Sequence, residues 1–173
     1  MATVVFFRAV NVGGYQKFQP GKLADELVEF GVVNIGAAGT FVVREKVSQA
    51  KLHDEILRRL PFRPELMICS GREVLDLARR NWFGDVPEGK DIGRFVSVLV
   101  KASRQKPSLP IKQPAGAKWE VWVVAITGRF VLTVRRLGRT YSNAVVEKHL
   151  GVAATTRNWN TIEMIREVLE KQS

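Results

Sequence analysis

The hydrophobic and polar positions of residues 1–70 follow the order strand, helix, strand, strand, helix, strand. Residues 2–10 form an apolar run rich in β-branched and aromatic side chains, which is typical of a buried strand. Two helices are indicated by apolar residues spaced three and four apart, the first opening at Pro20 and ending at Gly31, the second opening at Ser48 and ending at Pro61. Further strands are predicted at residues 32–36, 40–44 and 65–69. The βαββαβ order predicts a ferredoxin-like plait.

After a predicted helix and a turn-rich linker, the second half of the chain again shows a pattern of strands and helices. The predicted elements are the helix at 71–82, the linker at 85–93, a strand at 95–100, a basic proline-containing connection at 102–118, a hairpin at 119–136, a helix at 143–150 and a last helix from Asn160. The pattern defines no structure for the basic connection. We predict an α+β protein of two tandem ferredoxin-like (βαββαβ) plaits plus a C-terminal helix, with domains at residues 1–88 and 89–173.

The hairpin predicts a face that carries an aromatic side chain among basic ones. If residues 127–128 form a two-residue loop, Trp122 lies opposite Thr133 and Glu120 lies opposite Arg135. An exposed aromatic ring beside arginines on an open sheet is how many single-stranded nucleic-acid binders stack bases. The alternative is that the other plait covers this face and that Glu120 and Arg135 form only an ion pair.

Composition excludes several classes of protein. The chain has 173 residues, 46% of them hydrophobic, which is typical of a globular protein rather than a disordered one. Its single cysteine cannot form an intramolecular disulfide or a cysteine-rich zinc site. The first residues lack the basic region and cleavage site of a signal peptide, and no apolar run reaches the roughly 18 residues of a membrane span. We therefore expect a soluble cytoplasmic protein with no membrane partner.

The net charge of +10 is concentrated in one stretch of the chain. Residues 101–150 contain ten basic side chains but only two acidic ones, so they carry eight of the ten net charges. Such clustering attracts anionic partners, although a solvated surface that maintains solubility is the alternative. The predicted nucleic-acid-binding residues are Lys118, Trp122, Arg129, Arg135 and Arg139.

A second group of residues suggests a small-molecule site. The paired glycines after the first strand can offer backbone N–H groups to a phosphate, although they lack the other residues of a P-loop or dinucleotide motif and also suit a tight turn. Near the C-terminus, Asn160 and Glu163 fit a capping box. The residues just before it, Arg157, Asn158 and Trp159, then have no capping role. The alternative is a structural role, in which Trp159 seals the core and Arg157 bonds backbone carbonyls between the two plaits. The predicted ligand-binding residues are Arg8, Asn11, Gly13, Gly14, Lys17, Arg157, Asn158 and Trp159.

Catalytic and metal-binding chemistry is not indicated. Cys69 lies in an apolar strand, where buried cysteines are usually inert. His53 and His149 are far apart in sequence and neither has a metal-ligand spacing around it. We predict no catalytic residues, no metal and no cofactor.

Three segments resemble a known family. Residues 7–14 (FRAVNVGG), 142–151 (SNAVVEKHLG) and 154–161 (ATTRNWNT) are similar, in order, to segments of the bacterial domain-of-unknown-function family 1697. The resemblance implies two ferredoxin-like plaits and implies no activity, because that family is uncharacterised. The chain departs from the family at residues 37–40, where Ala-Ala-Gly-Thr replaces a Gln-Ser-Gly-Asn turn, and at residues 139–141, where Arg-Thr-Tyr replaces Ser-Lys-Leu. Any family site at these turns has lost polar groups here.

The functional prediction is therefore a non-enzymatic binding protein for an anionic partner, with nucleic acid as the leading class, in a conserved bacterial family. One alternative is a small-molecule protein or enzyme that binds a nucleotide or phosphorylated ligand between the two plaits. Another is a structural or interaction protein. The sequence does not define the oligomeric state.

Overall fold

The computed structural model describes residues 2–8, 18–138 and 143–171. The chain divides into two compact units: unit 1 consists of Met1–Arg80 with Asn160–Ser173, and unit 2 consists of Asn81–Trp159. Each unit contains an antiparallel sheet, of four strands in unit 1 and five in unit 2. The prediction of an α+β protein with a C-terminal helix is confirmed at this level.

The strands and helices of unit 1 before residue 80 occur in the predicted order within the described residues. They are β1 (Thr3–Phe7), α1 (Pro20–Glu26) with a 3₁₀ turn (Val28–Phe30), β2 (Val32–Asn34), β3 (Thr40–Val43), α2 (Gln49–Arg58), β4 (Leu66–Ser70) and α3 (Gly71–Ala78). The strand order is β2-β3-β1-β4. The last two residues of the predicted first strand, and the predicted turn after it, lie outside the described residues.

Local signals explain where the unit 1 helices begin. Pro20 occupies the first turn of α1, where its missing N–H costs nothing. The Ser48 hydroxyl accepts a hydrogen bond from the Lys51 backbone N–H at 3.1 Å and so caps α2. Ser70 and Glu73 form a reciprocal capping box on α3. These caps satisfy backbone N–H groups that have no partner within the helix.

One core of unit 1 lies between a face of the sheet and the helices α1 and α2. Its buried members include Val5, Phe7, Leu23, Leu27, Phe30, Phe41, Val43, Leu52 and Ile56. The predicted apolar face of α2 is confirmed, because Leu52 and Ile56 have no exposed surface.

The helix predicted at residues 71–82 ends earlier, at Ala78. Asn81 explains part of this difference, because its side-chain Oδ1 accepts the Phe83 backbone N–H at 3.3 Å. Such a local side-chain bond stabilises a turn in competition with further helix.

The described residues of unit 2 form five strands and, before the last helix, one short helix. They are β5 (Ile92–Leu99), β6 (Ile111–Gln113), β7 (Val121–Thr127), β8 (Phe130–Arg136), α4 (Ala144–Leu150) and β9 (Ala154–Asn158), and the strand order is β6-β7-β8-β5-β9. The last helix of the chain is α5 (Trp159–Lys171). Residues of α4 pack with one face of the sheet in a core of Leu99, Val123, Val131, Val146, Leu150 and Ala154.

The predicted hairpin register is wrong. Thr127 pairs with Phe130, so the loop consists of residues 128–129 rather than 127–128. Gly128 takes the first loop position with φ of +55°, a conformation that glycine adopts without the steric cost of a side chain. A second shift, between Val123 and Ala125, adds one unpaired residue to β7.

The correction changes the neighbours of two predicted site residues. Trp122 lies opposite Val134 instead of Thr133, and Val121 rather than Glu120 lies opposite Arg135. Because side chains alternate along β8, Trp122 shares a face with Val134, and Arg135 points to the other face.

The capping box predicted for the last helix is also wrong. Pairing of β9 with β5 holds residues up to Asn158 in the sheet, and α5 begins directly afterwards at Trp159. Asn160 therefore lies within the first turn of α5 instead of preceding it.

Candidate nucleic-acid interface

Unit 2 contains a long segment without acidic side chains. Between Asp91 and Glu120 there is no aspartate or glutamate. Residues 100–118, here called the basic segment, join β5 to β7 and include the short strand β6. Its basic side chains are Lys101, Arg104, Lys106 and Lys118, all exposed, and Lys112, which is half-buried. The local potential of this segment is therefore positive on its solvent side.

Hydrogen bonds from Arg129 in the β7–β8 loop, to the end of α4 and from Glu120 just before β7 anchor the basic segment. Arg129 donates from Nε to the Leu99 carbonyl at 2.9 Å and from Nη2 to the Val100 carbonyl at 3.0 Å. The Ser103 hydroxyl donates to the Leu150 carbonyl at the end of α4. At the other end, the Glu120 backbone N–H donates to the Gln113 carbonyl at 2.9 Å. These contacts give the segment a defined path, while four of its five basic side chains stay exposed to solvent.

Two tryptophans and two cations form a cluster beside this segment, here called the Trp119–Trp122 cluster, with Lys112 and Arg136 as its other members. The Lys112 Nζ atom lies 4.2 Å from the centroid of the Trp122 ring. The Trp122 and Trp119 rings meet edge to face, with centroids 5.4 Å apart and planes at 80°. The Arg136 Cζ atom lies 4.3 Å from the Trp119 centroid. Both cations are within the range of a cation–π contact.

The strand register explains why these side chains meet. Lys112 of β6 lies directly opposite Trp122 of β7, so the two side chains share a face of the sheet. The Arg136 guanidinium donates from Nε to the Trp119 carbonyl at 2.6 Å and from Nη2 to the Ala117 carbonyl at 3.2 Å. Trp119 is only 5% exposed, whereas Trp122 is half-buried. Trp119 therefore supports the cluster, and Trp122 is the ring that solvent reaches.

The five predicted nucleic-acid-binding residues have different surroundings. Lys118 is exposed directly before the cluster, and Trp122 belongs to it. Arg129 is half-buried and its guanidinium binds the backbone carbonyls described above. Arg135 is 1% exposed, so it does not contribute to a surface; it donates from Nε to the Thr133 hydroxyl at 3.2 Å, and its Cζ lies 5.5 Å from the Phe95 centroid. Arg139 lies outside the described residues.

The predicted ligand-binding residues are divided between the two units. Arg8 belongs to unit 1, where its Nη1 lies 3.0 Å from Glu65 Oε1. Asn11, Gly13, Gly14 and Lys17 lie outside the described residues. Arg157, Asn158 and Trp159 belong to unit 2.

Arg157 has a structural account within β9. It is 6% exposed, and its Nη1 donates to the Thr155 hydroxyl at 2.7 Å and to the Thr156 carbonyl at 2.9 Å. Burial lowers the pKa of Arg157 to about 10, because desolvation disfavours the charged form. Asn158 is exposed, and the half-buried Trp159 packs edge to face on Phe83 at 5.3 Å between centroids.

The single cysteine of the chain, Cys69, is fully buried in β4. Across residues 2–8, 18–138 and 143–171, no three histidine, cysteine, aspartate or glutamate side chains are grouped in a way that could hold a metal ion. No helix within those ranges is long and apolar enough to cross a membrane.

Comparison with known proteins shows a structural likeness to a bacterial protein. No family model matches the chain, and no curated protein matches it. The solved structure of the conserved bacterial protein SP0830 from Streptococcus pneumoniae is similar over 97% of this chain and 98% of that chain, with a TM-score of 0.53 and 17% sequence identity. At this identity the likeness shows a shared fold. Membership of the bacterial family that the three sequence segments resemble stays a prediction.

Proposed function

We propose that this chain is a non-enzymatic binding protein for an anionic partner, with nucleic acid as the leading class, and that the basic segment of unit 2 makes the principal contacts. The observation that carries the proposal is the set of exposed basic side chains on a segment without acidic residues, beside two tryptophans in contact. Lysine and arginine neutralise phosphates, and aromatic rings stack on bases.

The arrangement also favours a flexible polyanion over a compact ligand. Lys101, Arg104 and Lys106 lie between β5 and β6, and Lys118 lies after β6, so the exposed charges are distributed along the segment. A backbone with repeated phosphates can contact several of these side chains at once. A single phosphate can contact few of them.

We also propose that each unit is a ferredoxin-like plait. In unit 1 this is supported by the βαββαβ order together with the strand order β2-β3-β1-β4. In unit 2, β7-β8-β5-β9 repeats that strand order, with the basic segment in place of the first helix. The domains at residues 1–88 and 89–173 stay a prediction; by compactness, Asn160–Ser173 belongs with unit 1.

The function is tested with a triple substitution and a matched control. In the first variant Lys101, Arg104 and Lys106 become Gln; in the control Lys22, Lys46 and Arg63, all exposed in unit 1, become Gln. Both variants remove two lysines and one arginine, so they have the same net charge. Binding to fluorescein-labelled single-stranded RNA and DNA is measured by anisotropy at about 50 mM and about 200 mM salt.

We expect the wild-type protein to bind more tightly at the lower salt concentration, because phosphate contacts release counterions. The basic-segment variant should bind about tenfold more weakly, since each exposed charge contributes a fraction of a kcal/mol to about 1 kcal/mol. The control should stay within about threefold of wild type. Absence of binding at low salt refutes the proposal. If a nucleotide or sugar phosphate raises the Tm of the protein while no nucleic acid binds, the small-molecule alternative is favoured. Equal losses in the two variants refute the assignment to this segment.

A further inference from the structure

We propose, on the basis of the function above, that the Trp119–Trp122 cluster is a stacking site for one unpaired base and that the preferred ligand is a single strand. In this proposal Lys112 covers the Trp122 ring in the free protein. An arriving base displaces the Lys112 ammonium group from the ring, and the displaced group then pairs with a phosphate of the same strand.

The two cations of the cluster differ in their freedom to move. Arg136 donates to the carbonyls of Trp119 and Ala117, so its position over the Trp119 ring is fixed by the backbone. Lys112 lies on a three-residue strand at the edge of the sheet and contacts Trp122 through the end of a flexible four-carbon stem. Lys112 can therefore leave its ring while Arg136 remains over the other.

The exchange is favourable on physical grounds. A cation–π contact that is only partly shielded from water is in general weaker than the stacking of a base on an aromatic ring. The released ammonium group also gains a phosphate partner, so its charge is not left uncompensated. The edge-to-face contact with the buried Trp119 ring holds Trp122 in one orientation, so little ring freedom remains to be lost on binding.

The proposal selects single strands over duplexes. In a duplex each base face is covered by its neighbours, so only an unpaired base can lie flat on a protein ring. Because every base has an aromatic face, the site should accept any base. Lys118 lies directly before Trp119 in the chain and is exposed, in a position to contact the backbone of a strand whose base lies on Trp122.

Three ligands of equal length separate base stacking from charge: an oligothymidylate, an oligomer of abasic sites and a DNA duplex. The wild-type protein should bind the oligothymidylate at least about fivefold more tightly than the abasic oligomer, which has the same phosphates and no bases. Trp122→Leu should abolish this difference and leave affinity for the abasic oligomer unchanged. Trp82→Leu is the control, because Trp82 is a half-buried tryptophan of unit 2 outside the cluster, and it should keep the difference.

Lys112→Met tests the displacement step, since it keeps a long, unbranched side chain and removes its charge. The slope of log affinity against log salt concentration should fall, for the oligothymidylate, by the amount that corresponds to about one phosphate contact. The slope for the abasic oligomer should stay unchanged. If no ligand binds at low salt, the proposed function itself fails. If all three ligands bind equally well and Trp122→Leu changes nothing, the stacking site is refuted and binding to the basic segment stands. If Lys112→Met reduces the salt dependence equally for both oligomers, only the displacement of Lys112 is refuted.

Discussion

Gly71→Ala at the start of α3 should destabilise unit 1, although helix propensity alone favours alanine. The Gly71 backbone N–H donates to the Ala2 carbonyl at 2.7 Å. A Cβ at this position would lie 2.8 Å from the same carbonyl oxygen and 3.2 Å from Leu169 Cδ2. The first of these atoms belongs to the backbone and cannot turn away as the end of a side chain can. Alanine therefore fits only if the chain at Ala2 moves and the hydrogen bond lengthens.

The magnitudes decide the sign of the effect. Replacing glycine by alanine at a compatible helical position stabilises by about 0.4–1 kcal/mol, chiefly by restricting the unfolded chain. Overpacking of a tight site costs about 1–3 kcal/mol, and a weakened hydrogen bond costs about 1 kcal/mol more. The free energy of unfolding should therefore fall by about 2 kcal/mol, which lowers Tm by about 4–8 °C in a protein of this length.

Gly21→Ala is the matched control, because Gly21 also lies in the first turn of a helix, α1, and a Cβ there meets nothing within 4 Å. It should raise Tm by about 1–4 °C. Both variants are compared with wild type by thermal unfolding followed by circular dichroism. A Tm for Gly71→Ala equal to or above that of wild type would contradict the reasoning, because propensity would then outweigh the contact with Ala2.

Two further predictions concern helix ends and pH. Ser70→Ala removes the capping box of α3 and should cost about 1 kcal/mol in urea unfolding, whereas Ser70→Asp should keep most of that stability; equal losses in both would contradict the capping account. Glu170 accepts hydrogen bonds from Arg166 at 3.0 Å and Arg79 at 3.4 Å, and chiefly the Arg166 bond lowers the pKa of its carboxyl below the ordinary value of 4.5. A lowered folded-state pKa means that the stabilisation is present above pH 4.5 and is lost as pH falls towards the folded pKa, so the Tm difference between wild type and Glu170→Gln should shrink between about pH 6 and about pH 3. A difference that stays constant over that range would refute the role of the charge.

The elements of unit 1 could be predicted from sequence because each has its own boundary signal. Helix α2 has a serine cap and apolar residues at helical spacing, and the caps and breakers separate it from the strands on either side. The strand register of unit 2 is harder to predict from sequence, because β8 is buried on both faces. Val131 and Leu132, which point in opposite directions, have no exposed surface. A strand without alternation gives no information on register, so neither the loop at residues 128–129 nor the extra residue of β7 could be predicted.

The candidate interface was predictable only in part, for a related reason. Trp122 and Lys118 stand out in the sequence as an aromatic and a basic side chain near the start of a strand. Lys112 belongs to a strand of only three residues inside a segment with no periodic pattern. Its contact with Trp122 depends on the pairing of β6 with β7, which no local signal specifies.

The strand β6 also affects how copies of the chain can associate. It forms one edge of the five-stranded sheet, and an edge strand presents unpaired backbone groups to which another strand can add. Here Pro110 and Pro114 lie on either side of Ile111–Gln113, and proline has no N–H to donate. The short strand, its two prolines and its lysine together oppose intermolecular strand addition at this edge. Strand addition at this edge of the surface proposed to bind nucleic acid is thus disfavoured, even where a polyanion gathers many copies of the protein along one strand.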